Sequence, residues 1–323
     1  MRRPTFPAHT GPAEPRQPPP TWLVWAALLV VYLVWGSTYL AIAYVVQSMP
    51  PLLAAAFRFF SAGALLAAVL VLRRGPRVLR LSRAELAGAS FVGLALLLGG
   101  NGMVMLGQRE VPSGLAALII AVVPLWVIVL RLLFAERVRR GTLAGVALGF
   151  AGVAVLVAPR GLTGEVPLGG MLLLIAAGAS WASGSYLSRR LRLPRDPFVS
   201  TAAQLVAGGL GLAVVGLLVG EAGLLAGAHF STASMLGLGY LILFGSILAY
   251  TAYTWLLQHA PVSQVATYAY VNPVVAIALG SFFLHEAIDL GILVGGAMIV
   301  VAVGLVIRTE ARPVAPSRLV AAR

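Results

Sequence analysis

Apolar residues run along this chain in long stretches, separated by short connections rich in arginine, proline and glycine. A helix rises about 1.5 Å per residue, so about twenty apolar residues cross the hydrocarbon core of a bilayer. Ten stretches approach or exceed that length, near residues 22–46, 52–72, 85–107, 112–134, 141–158, 168–188, 198–218, 234–257, 262–284 and 288–308. The pattern predicts an all-α integral membrane protein of ten transmembrane helices. Connections such as Gln47 to Pro51 and Glu110 to Pro112 leave room only for tight hairpins.

The pattern also repeats. Pro112–Glu136 and Pro261–Glu286 each open on a proline, carry a second proline twelve residues on (Pro124 and Pro273) and close on a glutamate. WGSTY from Trp35 matches WASGSY from Trp181, and Pro51–Gly63 runs parallel to Pro197–Gly209 at a constant offset of 146. The chain is expected to divide into a disordered cytoplasmic tail (1–20), a first repeat (21–158), a second repeat (168–308) and a second cytoplasmic tail (309–323). Five helices per half is an odd number, so the second half enters the membrane inverted. Carriers built this way commonly bind substrate near the midplane, where the repeats meet.

Composition sharpens this picture. The 323 residues are 60% hydrophobic and only 10% charged, whereas a soluble domain carries roughly a quarter charged residues. The net charge of +13 comes wholly from arginine, with no lysine. Such a balance raises the question of nucleic acid. The arginines, however, sit in short clusters between apolar stretches, which is the pattern of membrane topology. Nucleic acid is therefore not an expected partner. With the N-terminus cytoplasmic, nineteen arginines fall on that side against Arg109 and Arg160 on the other, so both termini are expected to be cytoplasmic. The run Trp22–Val46 exceeds a signal-peptide core and lacks a cleavage site, which predicts a retained helix. Without cysteine there is no disulfide framework and no thiolate metal site.

Candidate chemistry follows the same segments. Gln264, Tyr268 and Asn272 stand at i, i+4 and i+8 and share one face of the ninth helix. Pro273 removes a backbone donor beside them and predicts a kink. That face is either the wall of a hydrated cavity or polar glue between helices. Pro124 lies in apolar surroundings and predicts a kink alone. Asn101, flanked by glycines and seven residues before Gln108, either reaches a ligand or bridges helices, and Tyr250 occupies the equivalent place in the second half. Trp35, Ser37 and Tyr39, with Trp181 in the second half, either line a cavity or pack. Arg58 lies inside the second helix, where an arginine is a functional hypothesis by default. It would anchor a carboxylate or other anionic group, or else snorkel to the interface or bond helix-end carbonyls. Glu136 and Glu286 are candidates for gates or for caps on neighbouring helices. No acidic residue lies in the middle of a helix, so no buried carboxylate proton relay is visible. His285-Glu286 lacks the second histidine of a zinc motif, and no phosphate loop or Ser/His/Asp cluster is present. An enzyme is therefore not expected, nor is a cofactor or a metal.

WGSTYLAI, PPLLAAAFRF, GNGMVMLGQREVPSG, TYAYVNPVVA and the paired glutamates together resemble the drug/metabolite transporter superfamily, and within it the EamA-type ten-helix exporters of the YedA-like branch. The resemblance covers about 22–308. It implies a multi-pass carrier of the bacterial inner (plasma) membrane with two EamA repeats, exporting amino acids, related metabolites or drugs by alternating access. A small-molecule substrate and the lipid bilayer are the implied partners, and a homodimer is compatible with it. A lipid-linked sugar flippase or a non-transport membrane scaffold is the alternative. The first repeat departs from the pattern in having Val123-Pro124 where the second has Asn272-Pro273.

Overall fold

A computed structural model describes residues 20–136, 138–163, 165–226, 228–260, 265 and 267–310. The two expected tails, almost entirely, and Gln264 lie outside the described residues. Among these residues ten long helical segments follow one another: α1 Thr21–Val46, α2 Pro51–Arg74, α3 Arg83–Gly107 and α4 Ser113–Leu133, then α5 Arg140–Thr163, α6 Leu168–Ser188 and α7 Pro197–Leu218. The last three are α8, formed by Thr232–Tyr240, Leu241–Ala249 and Tyr250–His259, α9 Tyr268–Leu284 and α10 Leu290–Glu310. Among the described residues, nine helices are long and apolar enough to cross a membrane, and α9 adds 17 residues from Tyr268.

The starts of these helices show why the chain turns where it does. Pro51 and Pro197 open α2 and α7, where a missing N–H is no loss. The first N–H groups of each helix have no partner within the helix, and acidic side chains meet several of them. Glu221, buried after α7, accepts from Leu52 N at 3.1 Å and Leu53 N at 2.9 Å. Asp196 caps its own helix through Phe198 N at 2.8 Å and also forms an ion pair with Arg74. Glu286 accepts from Ser113 N at 2.6 Å and Gly114 N at 2.9 Å, so it caps α4.

Two pairings dominate the packing, α2 with α7 and α5 with α10. They match the inverted repeat, in which each pair joins equivalent helices of the two halves. Small residues make both possible, as is usual where lipid offers no hydrophobic drive to associate. A Cβ at Gly209 would stand 2.6 Å from the Phe60 backbone nitrogen. One at Gly152 would stand 3.0 Å from the Gly295 carbonyl oxygen, and one at Gly295 would meet Gly152 in the same way. Large apolar side chains such as Leu72, Leu133, Leu218 and Phe282 are left outward, as a bilayer requires.

Three details lie along the helices themselves. Val31–Trp35 in α1, Leu94–Gly102 in α3 and Leu241–Ala249 in α8 are widened into π turns. In α4 the chain turns at Ala121–Val122, and Pro124 lies in the first turn of a second helical piece, Val123–Leu133. The ninth helix shows no matching break at Asn272-Pro273. A turn stands at Thr267 instead, and α9 then runs unbroken through Pro273.

Replacing Gly209 with alanine forces α2 and α7 apart. The thermal midpoint of the detergent-purified protein should fall, consistent with an overpacking penalty of about 1–3 kcal/mol. Gly239→Ala, which meets nothing within 4 Å, should leave the midpoint unchanged or raise it.

Candidate functional site

The widened turns of α1, α3 and α8 face one another around a small buried cavity of about 80 Å³. Such turns often occur at functional sites. The turn in α1 contributes Trp35 to the wall, that in α3 Leu97, Gly100 and Asn101, and that in α8 Gly245. Eight sequence-predicted site residues line this cavity: Trp35, Tyr39, Arg58, Asn101, Trp181, Tyr250, Tyr268 and Asn272. Thr38, Phe59 and Gly245 join them.

Ser37 does not. Its hydroxyl donates to Val34 O at 2.9 Å and pairs with Tyr240 OH at 2.6 Å, toward α8 and away from the cavity. The reason lies in the helix period. Trp35 and Tyr39, four apart, share a face, whereas Ser37 between them points to the other side.

Rings fill the floor of the cavity. Trp35 lies 4.8 Å from Tyr253, 5.4 Å from Tyr268 and 5.7 Å from Trp181, centroid to centroid, and the Tyr268 and Trp181 contacts are edge-on. Tyr253 adds contacts to Tyr268 at 5.9 Å and Tyr250 at 6.5 Å. These are favourable aromatic separations. Beyond this layer lies a second cavity of about 690 Å³, which shares Val123, Tyr250 and Tyr268 with the first. It reaches the surface at the arginine-rich end, where Arg189 and Arg190 are exposed. Pro124 lines this cavity. The opposite end of the molecule is packed, with Met49, Leu52, Val111 and Leu115 buried.

The polar side chains between these cavities are mostly engaged. Asn272, oriented by its hydrogen-bonding surroundings, donates to Tyr268 O at 3.2 Å and Tyr32 O at 3.1 Å. Tyr32 belongs to the widened turn of α1, so Asn272 ties α9 to it and lines the cavity at once. Asn101 donates along its own helix to Leu96 O at 3.5 Å. Gln108 leaves the cavity wall to bond Tyr39 O at 2.9 Å. Tyr250 donates to Gln204 Oε1 at 2.6 Å, and Gln204 donates to Ser200 Oγ at 2.9 Å, a chain on α7 that the sequence pattern did not single out. Its only signal was position, since Gln204 stands where Arg58 stands in the first repeat. Arg58 donates from Nε to Ser246 Oγ at 2.8 Å, and its guanidinium carbon lies 4.5 Å over the Phe59 ring.

The two repeat glutamates occupy different surroundings. Glu286 is the α4 cap described above. Glu136 stands at the wide mouth, where it accepts from Tyr186 OH at 2.6 Å, Arg190 Nη2 at 2.7 Å and Arg131 Nε at 3.0 Å. The Tyr186 hydroxyl, and next the Arg131 guanidinium, hold the Glu136 carboxyl below the usual carboxylate range. Among the described residues no cluster of three or more His, Cys, Asp or Glu could hold a metal.

Comparison with known proteins agrees with this architecture. The chain matches the model of the EamA-like transporter family over residues 21–158 and again over 168–308. It is similar to YedA, an uncharacterized inner membrane transporter of Escherichia coli K12, with 40% identity over 80% of this chain and 82% of that one. It is also similar to a probable amino-acid metabolite efflux pump of Salmonella typhimurium, with 32% identity over 85% and 91% of the two chains. A solved crystal structure shares the fold with a TM-score of 0.62 at 24% identity, covering 88% of this chain and 95% of that one.

The Glu136 cluster has a definite pH signature. A carboxyl whose folded-state pKa is lowered contributes stability above its unfolded value, about 4.3 for glutamate, and loses it as acid titrates the folded group. The difference in thermal midpoint between the parent protein and Glu136→Gln should stay level from neutral pH to about 4.5, then shrink below it.

Proposed function

The chain belongs to the EamA-like transporter family, and from that premise we propose that it carries small polar or amphipathic metabolites out of the cell by alternating access. The observation that supports this reading most is the pair of cavities separated by an aromatic layer, one buried and one reaching the arginine-rich end. In this reading the wide cavity is the vestibule of an inward-facing state, and the small cavity holds the substrate. The rings of Trp35, Tyr39, Trp181, Tyr250 and Tyr268 contact its apolar body, and Asn101 and Asn272 supply polar contacts. The turn at Ala121–Val122 ahead of Pro124 lets the two halves of α4 move separately. The Salmonella relative's amino-acid metabolite efflux supports export and suggests amino acids and their derivatives as the first class to try. The excess of arginine at one end supports a cytoplasmic location for both termini. Passage without chemical change is the whole of the proposed activity.

Reconstitution into proteoliposomes with a panel of labelled amino acids and derivatives tests the reading. Saturable, protein-dependent flux is expected. Trp181→Ala and Asn272→Ala should each lower it at least tenfold, equivalent to about 1.4 kcal/mol. Unchanged flux in both variants would remove these residues from the site.

Orientation has a clean assay, because the chain has no native cysteine. A single cysteine placed near either terminus should react with a membrane-impermeant maleimide in everted vesicles and stay unlabelled in intact cells.

A further inference from the structure

Among the described residues, Arg58 carries the only charged side chain on the wall of the small cavity. It is 3% exposed, so it does not snorkel to an interface, although it stands only seven residues into α2. Its fork is held from three sides. Nε bonds Ser246, the guanidinium rests on Phe59, and a side chain at Gly245 would crowd Nη2, since a Cβ there would stand 3.0 Å away. Nη1 is buried and has no hydrogen-bond partner among the described residues.

A buried guanidinium without a counter-charge is strongly unfavourable, and a protein normally pairs it. All ten acidic residues of this chain lie in the tails, in the connections or near the ends of helices, and none of the described ones lines the small cavity. The pairing carboxylate is therefore not supplied by the described protein.

Resting on the exporter reading above, we infer that the transported molecule supplies it: the substrate is a small organic monoanion whose carboxylate pairs with the Arg58 guanidinium on the cavity wall. A charge-assisted bond of this kind satisfies both partners. The rest of the wall accepts an apolar body, and it holds no acidic group to pair a substrate ammonium. The cavity is also small, at about 80 Å³, so the class is narrowed to compact bodies such as a short branched aliphatic chain. The approach agrees with the site. Arg131, Arg189 and Arg190 line the wide cavity against the single carboxylate of Glu136, a balance that draws anions inward. Gln204, the counterpart of Arg58 in the second repeat, is neutral and already bonded to Tyr250. The charge is thus confined to one half and to the buried end of the path.

A matched series on one carbon skeleton tests this with the full-length protein in detergent. Isovalerate is the anion, isovaleramide its neutral counterpart, isoamylamine the cation and valine the zwitterion. Ligand-induced thermal shifts should rank isovalerate first, with apparent affinity at least tenfold above the amide, as expected for loss of a bond to a charged group. Arg58→Gln should abolish that preference, while Arg58→Lys should keep part of it. A purely structural arginine would destabilise the protein on removal. Here the unliganded Arg58→Gln protein should melt at the same temperature or higher, because an uncompensated charge has gone. Equal response to isovalerate and isovaleramide, no response to isovalerate at millimolar concentration, or an anion preference that survives Arg58→Gln would each overturn the inference. Flux of neutral or zwitterionic compounds without anion preference would leave the exporter reading standing while this one fell. Absence of any flux beside clear isovalerate binding would do the reverse.

Discussion

Within a bilayer no water reaches the N–H and C=O groups that a helix leaves open, so each must find a partner inside the protein. Much of the polar chemistry of this molecule answers that demand. Glu221 and Glu286 each take up two amide groups at the start of a neighbouring helix. Gln108 reaches across to the Tyr39 carbonyl, Ser180 to that of Ala95, and Asn272 to those of Tyr32 and Tyr268. The widened turns of α1, α3 and α8 are tolerable because such side chains stand beside them. They in turn open the space that becomes the small cavity. The site is a by-product of how the backbone was satisfied.

This explains how far the sequence could be read. Spans and repeat were legible because both rest on composition and spacing, which lipid enforces strongly. The cavity wall was largely legible too, since Trp35 and Tyr39, or Tyr268 and Asn272, share a face by helix period alone. Ser37 was lost to the same rule. The π turns were not legible, for they depend on tertiary contacts that no local pattern records. At Asn272-Pro273 the helical assignment continues through the proline, and a turn falls earlier, at Thr267. Glu221 and Gln204 gave little sign in sequence of the bonds they make. One lies in a connection, and the other stands where only its repeat partner is charged.

The two halves are alike in frame and unlike in chemistry. Equivalent helices pair as α2 with α7 and α5 with α10, and the long π segments of α3 and α8 fall at matching places. Arg58 against Gln204, and Val123 against Asn272, break that likeness at the walls of the two cavities. A symmetric scaffold can support motion in either direction, while an asymmetric wall can still favour one class of cargo.

Ala135 and His285, immediately before the two repeat glutamates, are the described non-glycine residues with left-handed backbone, at φ of 57° and 53°. Holding such a conformation costs on the order of 1–2 kcal/mol, and the chain accepts it twice, at opposite faces of the membrane. The backbone is thus alike at the two rims, and the company of the glutamates is not, with backbone amides around Glu286 and a tyrosine and two arginines around Glu136. Two ends built on one backbone device are told apart by a handful of hydrogen bonds, so that one glutamate is fixed to a helix start while the other is held by side chains alone.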